Sequence, residues 1–393
     1  MKRIVCVPDS FKGSVSALGA AEAMARGARQ VFDNADVVML PFADGGEGTL
    51  DALLAAWGRA AEVVSTVDAL GRPRNARFGL SADGRTAVVE AAEGNGLPAV
   101  SDVPLQPLRA DTYGVGLIAR AALESGAEEI LLCIGGSAST DGGTGLLAAL
   151  GARFLGADGE PVAPGGGGLA GIVRVDLEHL HPRAREVRWR VAVDVDNPLT
   201  GERGAAAVFG PQKGATADDV AALDAGLAHL ADVVAEAAEA GHADTRVAPA
   251  ALPSAAGLRS TAGFGAAGGL PVTLVGLLGA ETLPGAELVG DAVGLADALT
   301  GADLVLTGEG AFDSQSLGGK VVDAVRRQSP AGAAVVVVAG TVRLTAAQTR
   351  EAGLTAAFSI APGASELDEL LREAPRLIEE TTAHACALLA HAR

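Results

Sequence analysis

The amino-acid sequence predicts an α/β protein of two domains, in which helices cover both faces of parallel sheets. Short runs rich in Val, Ile and Leu alternate with Ala- and Leu-rich windows whose apolar residues recur at helical spacing, a pattern typical of parallel sheets. The 393 residues are too many for one ordinary core. The 53 glycines cluster between the apolar runs, so many tight turns are expected.

The two ends of the chain share one order of elements, in which a strand is followed by a loop and a helix. Near the N-terminus, strands are predicted over 3–7 and 36–41 and helices over 17–32 and 49–57. Near the C-terminus, strands are predicted over 303–307, 333–339 and 356–360, and helices over 320–328 and from about 366 onward.

The middle of the chain has a different pattern. Residues 60–90 hold short alternating runs joined by turns, which indicates antiparallel or mixed sheet. Residues 156–190 are rich in loops, and 216–240 form a long Ala-rich helix. We therefore predict an α/β domain built from both chain ends, residues 1–65 with 285–393, and an inserted mixed α/β domain, residues 66–284.

Composition excludes several classes of function. The net charge of −18 and an aromatic content of 3% argue against a nucleic-acid partner, which needs a basic field and stacking surfaces. The sequence contains no run of 18 apolar residues, and its N-terminal apolar run is too short for a signal peptide. The three cysteines are far apart and lack metal-binding spacing. We expect a cytoplasmic protein without a membrane partner.

Lysines are scarce, and their positions are informative. Of the 30 Lys and Arg residues only four are lysines, and Lys12, Lys213 and Lys320 each lie beside glycine in a polar stretch. A compact ammonium that arginine does not replace suits close binding of phosphate or carboxylate. The alternative is that these lysines are simply retained at solvated loop tips.

Acidic residues within glycine-rich loops form a second signal. Such loops follow predicted strands at 42–49, 135–145 and 307–314. Ligands collect at the carboxyl ends of strands in open α/β sheets, and glycines let the backbone approach a phosphate. The carboxylates would hold Mg²⁺ or a sugar-acid hydroxyl. Asp-Gly is also a favoured turn, but three such loops favour a ligand function.

Asp194 and Asp196 form a third signal. A strand predicted over 189–195 would direct both carboxylates to one face, where they could supply a metal ligand and a general base. An Asx turn before Pro198 is the equally weighted alternative.

Several common motifs are missing from the sequence. It contains no Walker A loop and no GxSxG nucleophile elbow, and the GxGxxG match at 263–268 follows a loop instead of a strand. Residue chemistry alone therefore indicates a two-domain α/β enzyme that acts on a phosphate and a small anionic or hydroxylated substrate.

At these same loops the sequence resembles the type 1 glycerate kinases. The matching stretches occur in the family's order over nearly the whole chain. They are 7–14 (VPDSFKGS), 43–49 (ADGGEGT), 112–116 (TYGVG), 134–145 (IGGSASTDGGTG), 194–199 (DVDNPL), 208–214 (VFGPQKG) and 307–316 (TGEGAFDSQS). Stretch 91–97 (AAEGNGL) departs from the family, which usually carries small residues and Ser where Glu93 and Asn95 stand.

The resemblance implies ATP-dependent phosphorylation of D-glycerate with Mg²⁺ as cofactor, giving 2-phosphoglycerate in preference to 3-phosphoglycerate. It implies a flavodoxin-like parallel-sheet domain from both chain ends and an inserted domain likened to restriction endonucleases. We expect a monomer or homodimer. The alternatives are a kinase of another small hydroxy acid and a non-catalytic protein that binds sugar acids.

The resemblance and the residue chemistry together predict the site residues. Substrate-binding residues are Asp9, Ser10, Lys12, Asp44 and Glu47, and Lys12 and Asp194 are catalytic, with Asp194 as the base. Nucleotide-binding residues are Gly135, Gly136, Ser137, Thr140, Asp141, Gly142, Lys213, Thr307, Gly308, Glu309 and Gly310. Metal ligands are Asp194, Asp196 and Asp313. Which glycine loop holds ATP and which holds glycerate stays open.

Overall fold

The computed structural model describes residues 1–241 and 254–391. Residues 242–253 of the predicted inserted domain and the last two residues lie outside this description. The chain divides into two compact units: the first comprises Met1–Gly58 and Pro284–Arg393, and the second comprises Arg59–Leu283.

Most of the predicted strands and helices are confirmed, with ends that differ by a few residues. The strands are β1 (Arg3–Pro8), β2 (Asp36–Met39), β3 (Glu62–Val67), β4 (Pro73–Leu80), β5 (Thr86–Glu90), β6 (Glu129–Cys133), β7 (Arg153–Leu155), β8 (Arg174–Asp176), β9 (Arg188–Ala192), β10 (Glu281–Leu283), β11 (Leu304–Gly308), β12 (Ala311–Phe312), β13 (Ala334–Ala339), β14 (Thr341–Val342) and β15 (Ala356–Ser359).

The helices are α1 (Ala17–Arg29), α2 (Thr49–Trp57), α3 (Ala91–Asn95), α4 (Tyr113–Glu124), α5 (Thr144–Ala149), α6 (Ala205–Phe209), α7 (Ala217–Gly241), α8 (Ala255–Ser260), α9 (Pro271–Leu278), α10 (Gly285–Val293), α11 (Leu295–Leu299), α12 (Val321–Gln328), α13 (Ala346–Glu351) and α14 (Leu367–His391). Among the residues described, no helix is both long enough and apolar enough to cross a bilayer.

The first unit contains a five-stranded, wholly parallel sheet in the order β15-β13-β11-β1-β2. Numbered within this unit the order is 2-1-3-4-5, the order of flavodoxin-like sheets. The central strands β1, β11 and β13 are mostly apolar and rich in Val, Ile and Leu, as expected of strands that are buried on both faces of a sheet. Gly27 lets α1 pack against α14, since a Cβ there would lie 2.3 Å from the carbonyl oxygen of Glu379.

The second unit contains a mixed sheet in the order β10-β9-β6-β5-β4-β3. The four strands β10, β9, β6 and β5 are parallel, whereas β5-β4 and β4-β3 are antiparallel pairs, as predicted for 60–90. The predicted domain boundary between 65 and 66 falls inside β3, which pairs along its whole length with β4 of the second unit. The mixed α/β fold with parallel sheet is thereby confirmed.

Candidate functional site

In the first unit, the carboxyl ends of three neighbouring strands bring together the residues that we call the carboxylate cluster: Asp9, Lys12, Asp44 and Glu309. The loops after β1 and β11 are joined by a hydrogen bond from the Asp9 N–H to the Gly308 carbonyl at 2.8 Å. The loop after β2 is held by the Phe42 N–H, which donates to the Pro8 carbonyl at 3.1 Å. The parallel register therefore assembles residues that are 300 positions apart in the chain.

Asp9 is the most perturbed group in this cluster. Its side chain follows the buried strand β1, and the residue is only 9% exposed. Burial, with the nearby charges of Asp44 and Glu309, raises the pKa of Asp9 to about 7, while the Ser10 N–H and the Lys12 ammonium act in the opposite direction. Asp9 can thus exchange a proton near neutral pH.

Glu309 shows the same influence of burial. Burial, with the charges of Asp313 and Asp44, raises its pKa, against Ser316 and Lys320, which lower it. Its Oε1 atom is buried and accepts no hydrogen bond from the described residues. Asp44 accepts the Gly46 N–H at 3.1 Å, which shapes the turn before α2.

Lys12 and its neighbours form the open side of the cluster. Lys12 and Glu47 are exposed, and Ser10 is half-buried. The Lys12 turn is closed by the Phe11 N–H, which donates to the Val15 carbonyl at 2.8 Å. Gly310 lies close to the backbone of this turn, since a Cβ there would be 3.8 Å from the Lys12 backbone nitrogen.

Other predicted residues of the first unit have clear structural tasks. The Thr307 hydroxyl is buried and donates to the Val7 carbonyl, and Gly308 is required because a Cβ would lie 1.9 Å from the Val338 carbonyl oxygen. Asp313 caps the short helix that follows it by accepting the Gln315 N–H at 2.9 Å. Lys320, half-buried, precedes α12.

In the second unit, the loop after β6 is hydrogen-bonded to the buried side chain of Lys213. We call Asn95, Ser137, Ser139 and Lys213 the lysine cluster. The Lys213 ammonium donates to the Ser139 carbonyl at 2.5 Å and to the Ser137 hydroxyl at 3.2 Å. The Asn95 amide donates to the Ser139 hydroxyl at 2.9 Å. Burial lowers the pKa of Lys213 to about 8, against the favourable charge of Asp141. Lys213 is only 3% exposed, so it is not a solvated loop-tip lysine.

The remainder of this loop divides into an open start and a buried end. Gly135 and Gly136 are exposed, whereas Thr140, Asp141 and Gly142 are buried. The Asp141 carboxylate accepts hydrogen bonds from the Thr112 N–H and hydroxyl and from the Gly145 N–H, so it fixes the loop on α4 and α5.

Two oxygens in the same region, the Thr140 hydroxyl and the Asn95 Oδ1, are buried and have no hydrogen-bond partner among the described residues. Buried polar atoms of this kind usually have a partner, so each is a position where a ligand or water would bind.

The strand predicted over 189–195 is wrong at its end, because β9 stops at Ala192. Beyond it, the Asn197 carbonyl is captured by the N–H groups of Gly263 and Gly265, so the chain turns away from the sheet. Asp194 and Asp196 are exposed loop residues and do not share a strand face. Asp196 pairs with Arg203 at 2.8 Å, and the Arg203 hydrogen bond lowers the pKa of Asp196.

Asn95 lies in the site although no role was predicted for it from the sequence. The signal was the departure at 91–97, where Glu93 and Asn95 replace the family's usual residues. Glu93 pairs with Arg77 at 2.9 Å, and Asn95 holds the loop after β6 through Ser139. Within the described residues, no group of three or more His, Cys, Asp or Glu side chains is arranged to hold a metal ion.

Lysines and carboxylates lie on glycine-rich turns at the strand ends of this α/β chain. Phosphoryl transfer uses residues of this kind, because it depends mainly on positioning the two substrates and neutralising the charge of the phosphates. Comparison with known proteins identifies the class more closely. The model of the "Glycerate kinase family" matches residues 4–390. A glycerate kinase of Bacillus subtilis (strain 168) is 44% identical over 381 residues, which cover 96% of this chain and 95% of the relative.

Two further relatives agree. A protein of Escherichia coli (strain K12) named glycerate 2-kinase is 39% identical over 389 residues, covering 99% of this chain and 98% of the relative. A crystal structure described as glycerate kinase 2 from Salmonella typhimurium LT2 is similar over 100% of this chain and 99% of its own, with a TM-score of 0.86 and 38% identity. The chain belongs to the glycerate kinase family, and it is a kinase that phosphorylates glycerate with ATP as phosphate donor.

Proposed function

We propose that the protein transfers the terminal phosphoryl group of Mg-ATP to the 2-hydroxyl of D-glycerate. The observation that carries this proposal is the pairing, on one loop after β1, of an exposed lysine with a buried carboxylate whose pKa lies near 7. Such a loop offers a cation for the carboxylate of a hydroxy acid and a base for its hydroxyl.

The loop after β1, which carries Ser10 and Lys12, would bind glycerate. The Lys12 ammonium and the Ser10 hydroxyl would bind the substrate carboxylate, and Asp44 and Glu47 would bind its hydroxyls. Lys12 is exposed and therefore accessible to a dissolved anion. Removing such a charge-assisted contact affects both binding and orientation of the substrate.

Asp9 is the base that we favour, in place of Asp194. A general base acts best when its pKa is close to the working pH, because it is then both ionised and able to take a proton. Asp9 meets this condition through burial and its carboxylate neighbours. The proton of the attacked hydroxyl would pass to the Asp9 carboxylate as the oxygen bonds to phosphorus. Asp194, an exposed loop residue, has no comparable burial.

Nucleotide phosphates would bind at the glycine loops. Gly135 and Gly136 are exposed and offer close backbone approach, and the Lys213 ammonium already lies against Ser137 and Ser139 of the same loop. Lys213 would neutralise charge on the transferring group. Asp141 and Gly142 would act by fixing the loop, and 307–310 in the first unit stays a second candidate for phosphate contact.

The magnesium ion fits this chain as part of Mg-ATP. Mg²⁺ commonly binds through one or two carboxylates together with substrate phosphates, so a preformed cluster of acids is not required. Asp196 and Asp313 are engaged by Arg203 and by helix capping. Asp194 also interacts with the described chain, so Asp194, Asp196 and Asp313 stay equal candidates for the protein ligand. When bound, Mg²⁺ would offset the negative charge of the phosphates.

A substrate panel tests this function. With Mg-ATP and a coupled assay for ADP, D-glycerate should give the highest kcat/KM in a panel that also contains L-glycerate, glycolate, lactate and tartronate. A higher value for another acid would show a kinase of a different hydroxy acid. Glycerate binding without ADP release would show a non-catalytic binding protein.

A further inference from the structure

The second unit contains a cavity of about 240 Å³ that is partly open to solvent and to which no role has been assigned above. One wall is α5 and the chain just after it, a second wall is the segment 161–172, and the rest is contributed by residues 111 and 113 before and at the start of α4. Most of the lining is apolar, including Ala148, Ala152, Phe154, Val162 and Leu169.

The cavity is preformed. The Val162 N–H donates to the Phe154 carbonyl at 3.0 Å, and the Gly167 N–H donates to the Leu108 carbonyl at 2.8 Å. Gly168 packs so closely that a Cβ would lie 1.9 Å from the Ala163 carbonyl oxygen. These contacts fix the 161–172 wall without help from a ligand, as is usual for small-molecule sites.

Asp111 supplies a carboxylate at the edge of this apolar space. Its Oδ1 accepts the Tyr113 N–H at 2.9 Å, and that hydrogen bond is the one found for the carboxylate within the described residues. Burial, with the charge of Asp141, raises the pKa of Asp111 to about 6. The second oxygen is thus available to accept a hydrogen bond from an uncharged donor, whereas an anion would be repelled.

The cavity adjoins the glycine loop to which we assign phosphate binding. Thr144 and Gly145, which line the cavity, directly follow that loop. The Gly145 N–H and the Thr112 N–H both donate to Asp141, so α5, the start of α4 and the loop form one hydrogen-bonded unit. A ligand in the cavity and a ligand on the loop would therefore bind to one continuous piece of structure.

We propose that this cavity binds the nucleoside part of the nucleotide, with the base among the apolar residues and a ribose hydroxyl donating to Asp111. The proposal rests on the proposed function, in which the loop after β6 binds the nucleotide phosphates. A flat, uncharged base suits an apolar cavity, and in dinucleotide-binding α/β folds a carboxylate near the glycine-rich phosphate loop accepts hydrogen bonds from ribose hydroxyls. An apolar cavity of about 150 Å³ takes one benzene ring, so 240 Å³ has room for a fused two-ring base.

The first test fills the cavity. Ala148→Leu places three more carbon atoms in empty space, and Ala221→Leu makes the same change on an exposed position of α7 as a control. We expect Ala148→Leu to raise the KM for ATP about tenfold or more while the KM for glycerate and the melting temperature stay close to those of the control. An unchanged KM for ATP in a folded Ala148→Leu variant would overturn the proposal.

The second test concerns Asp111 and does not depend on a core substitution. Wild-type protein should bind 2′,3′-dideoxy-ATP, which lacks both ribose hydroxyls, about tenfold more weakly than ATP. Asp111→Ala should bind the two nucleotides with similar affinity, because its side chain offers no acceptor to a ribose hydroxyl. If both proteins discriminate equally, Asp111 does not hold the ribose and the proposal fails.

Equilibrium dialysis with adenosine, which has no phosphate, separates this proposal from the proposed function. If wild-type protein binds adenosine and Ala148→Leu does not, the cavity assignment holds even if no glycerate is phosphorylated. If glycerate is phosphorylated but Ala148→Leu leaves adenosine binding intact, the cavity assignment fails and the proposed function stands.

Discussion

Replacing Asp9 by asparagine should make the protein more stable and less active at the same time. The folded protein holds the pKa of Asp9 at about 7, above its ordinary value of 3.8, because burial and neighbouring carboxylates oppose ionisation. The stability provided by the neutral acid is complete below about pH 4 and is lost as the pH rises toward 7. The side-chain amide in Asp9→Asn would stay neutral throughout, and its oxygen would still accept the Ser10 N–H.

The size of the effect follows from the pKa difference. Each pKa unit corresponds to about 1.4 kcal/mol, so ionised Asp9 costs the folded state about 4 kcal/mol, as an upper limit. The gain from Asp9→Asn in free energy of unfolding should be close to zero at pH 4 and should approach that limit at pH 8. If Asp9 is the base, kcat should fall by about 10²- to 10⁴-fold.

Urea unfolding of the wild type and Asp9→Asn at several pH values between 4 and 8 measures the first quantity, and the coupled ADP assay measures the second. Asp194→Asn, which changes an exposed carboxylate, is the matched control and should alter stability little at any pH. A stability difference that does not change with pH would refute the burial argument. Wild-type turnover in Asp9→Asn would contradict the assignment of Asp9 as the base.

Three further predictions concern the lysines and a glycine. Lys12→Ala should lower kcat/KM by about 10²-fold and leave the melting temperature unchanged, because Lys12 is exposed. Lys2→Ala is the control, and normal turnover of Lys12→Ala would contradict the role of Lys12 in binding the substrate carboxylate. The wild-type kcat/KM for ATP should decline above about pH 8, because buried Lys213 loses its proton there. Lys213→Met should be about 10²-fold slower at pH 7 and should not show this decline, whereas a flat wild-type pH profile would argue against a charged Lys213. In urea unfolding, Gly142→Ala should destabilise the fold by about 1–3 kcal/mol more than Gly13→Ala. Both glycines have a positive φ, but only at Gly142 would a Cβ meet a neighbour, the Leu230 Cδ2 atom at 2.2 Å. Equal losses of stability would rule out that close contact.

The strands of the parallel sheet and the helices around it could be predicted from the sequence, because the pattern of apolar residues in each is strong. Strand β13 is a continuous valine run buried on both faces, and α2 begins and ends where its pattern predicts. The end of β9 could not be predicted in this way. Beyond that end, the Asn197 carbonyl accepts hydrogen bonds from the Gly263 and Gly265 N–H groups, a contact between distant segments that no local pattern reports.

The same limit applies to the candidate site. Lys12, Asp44, Glu309 and Ser137 could be predicted as site residues from the scarcity of lysine, from the glycine-rich loops and from the resemblance to the family. The burial that distinguishes Lys213 from Lys12, and Asp9 from Asp194, depends on which strands are neighbours and which side chains cover them. Asn95 carried only the signal of a departure from the family's usual residues, and its bond to Ser139 required the folded chain.

The most direct test of the account is the ³¹P NMR spectrum of the product formed from D-glycerate and Mg-ATP. The proposed reaction places the phosphoryl group on the oxygen of the 2-hydroxyl. Phosphorus on that oxygen couples to a single proton, so the account predicts a product doublet beside the signals of ADP. A triplet, from phosphorus coupled to the two protons of the terminal carbon, would contradict the proposed orientation of glycerate, and the lack of any phosphate ester would contradict the reaction itself.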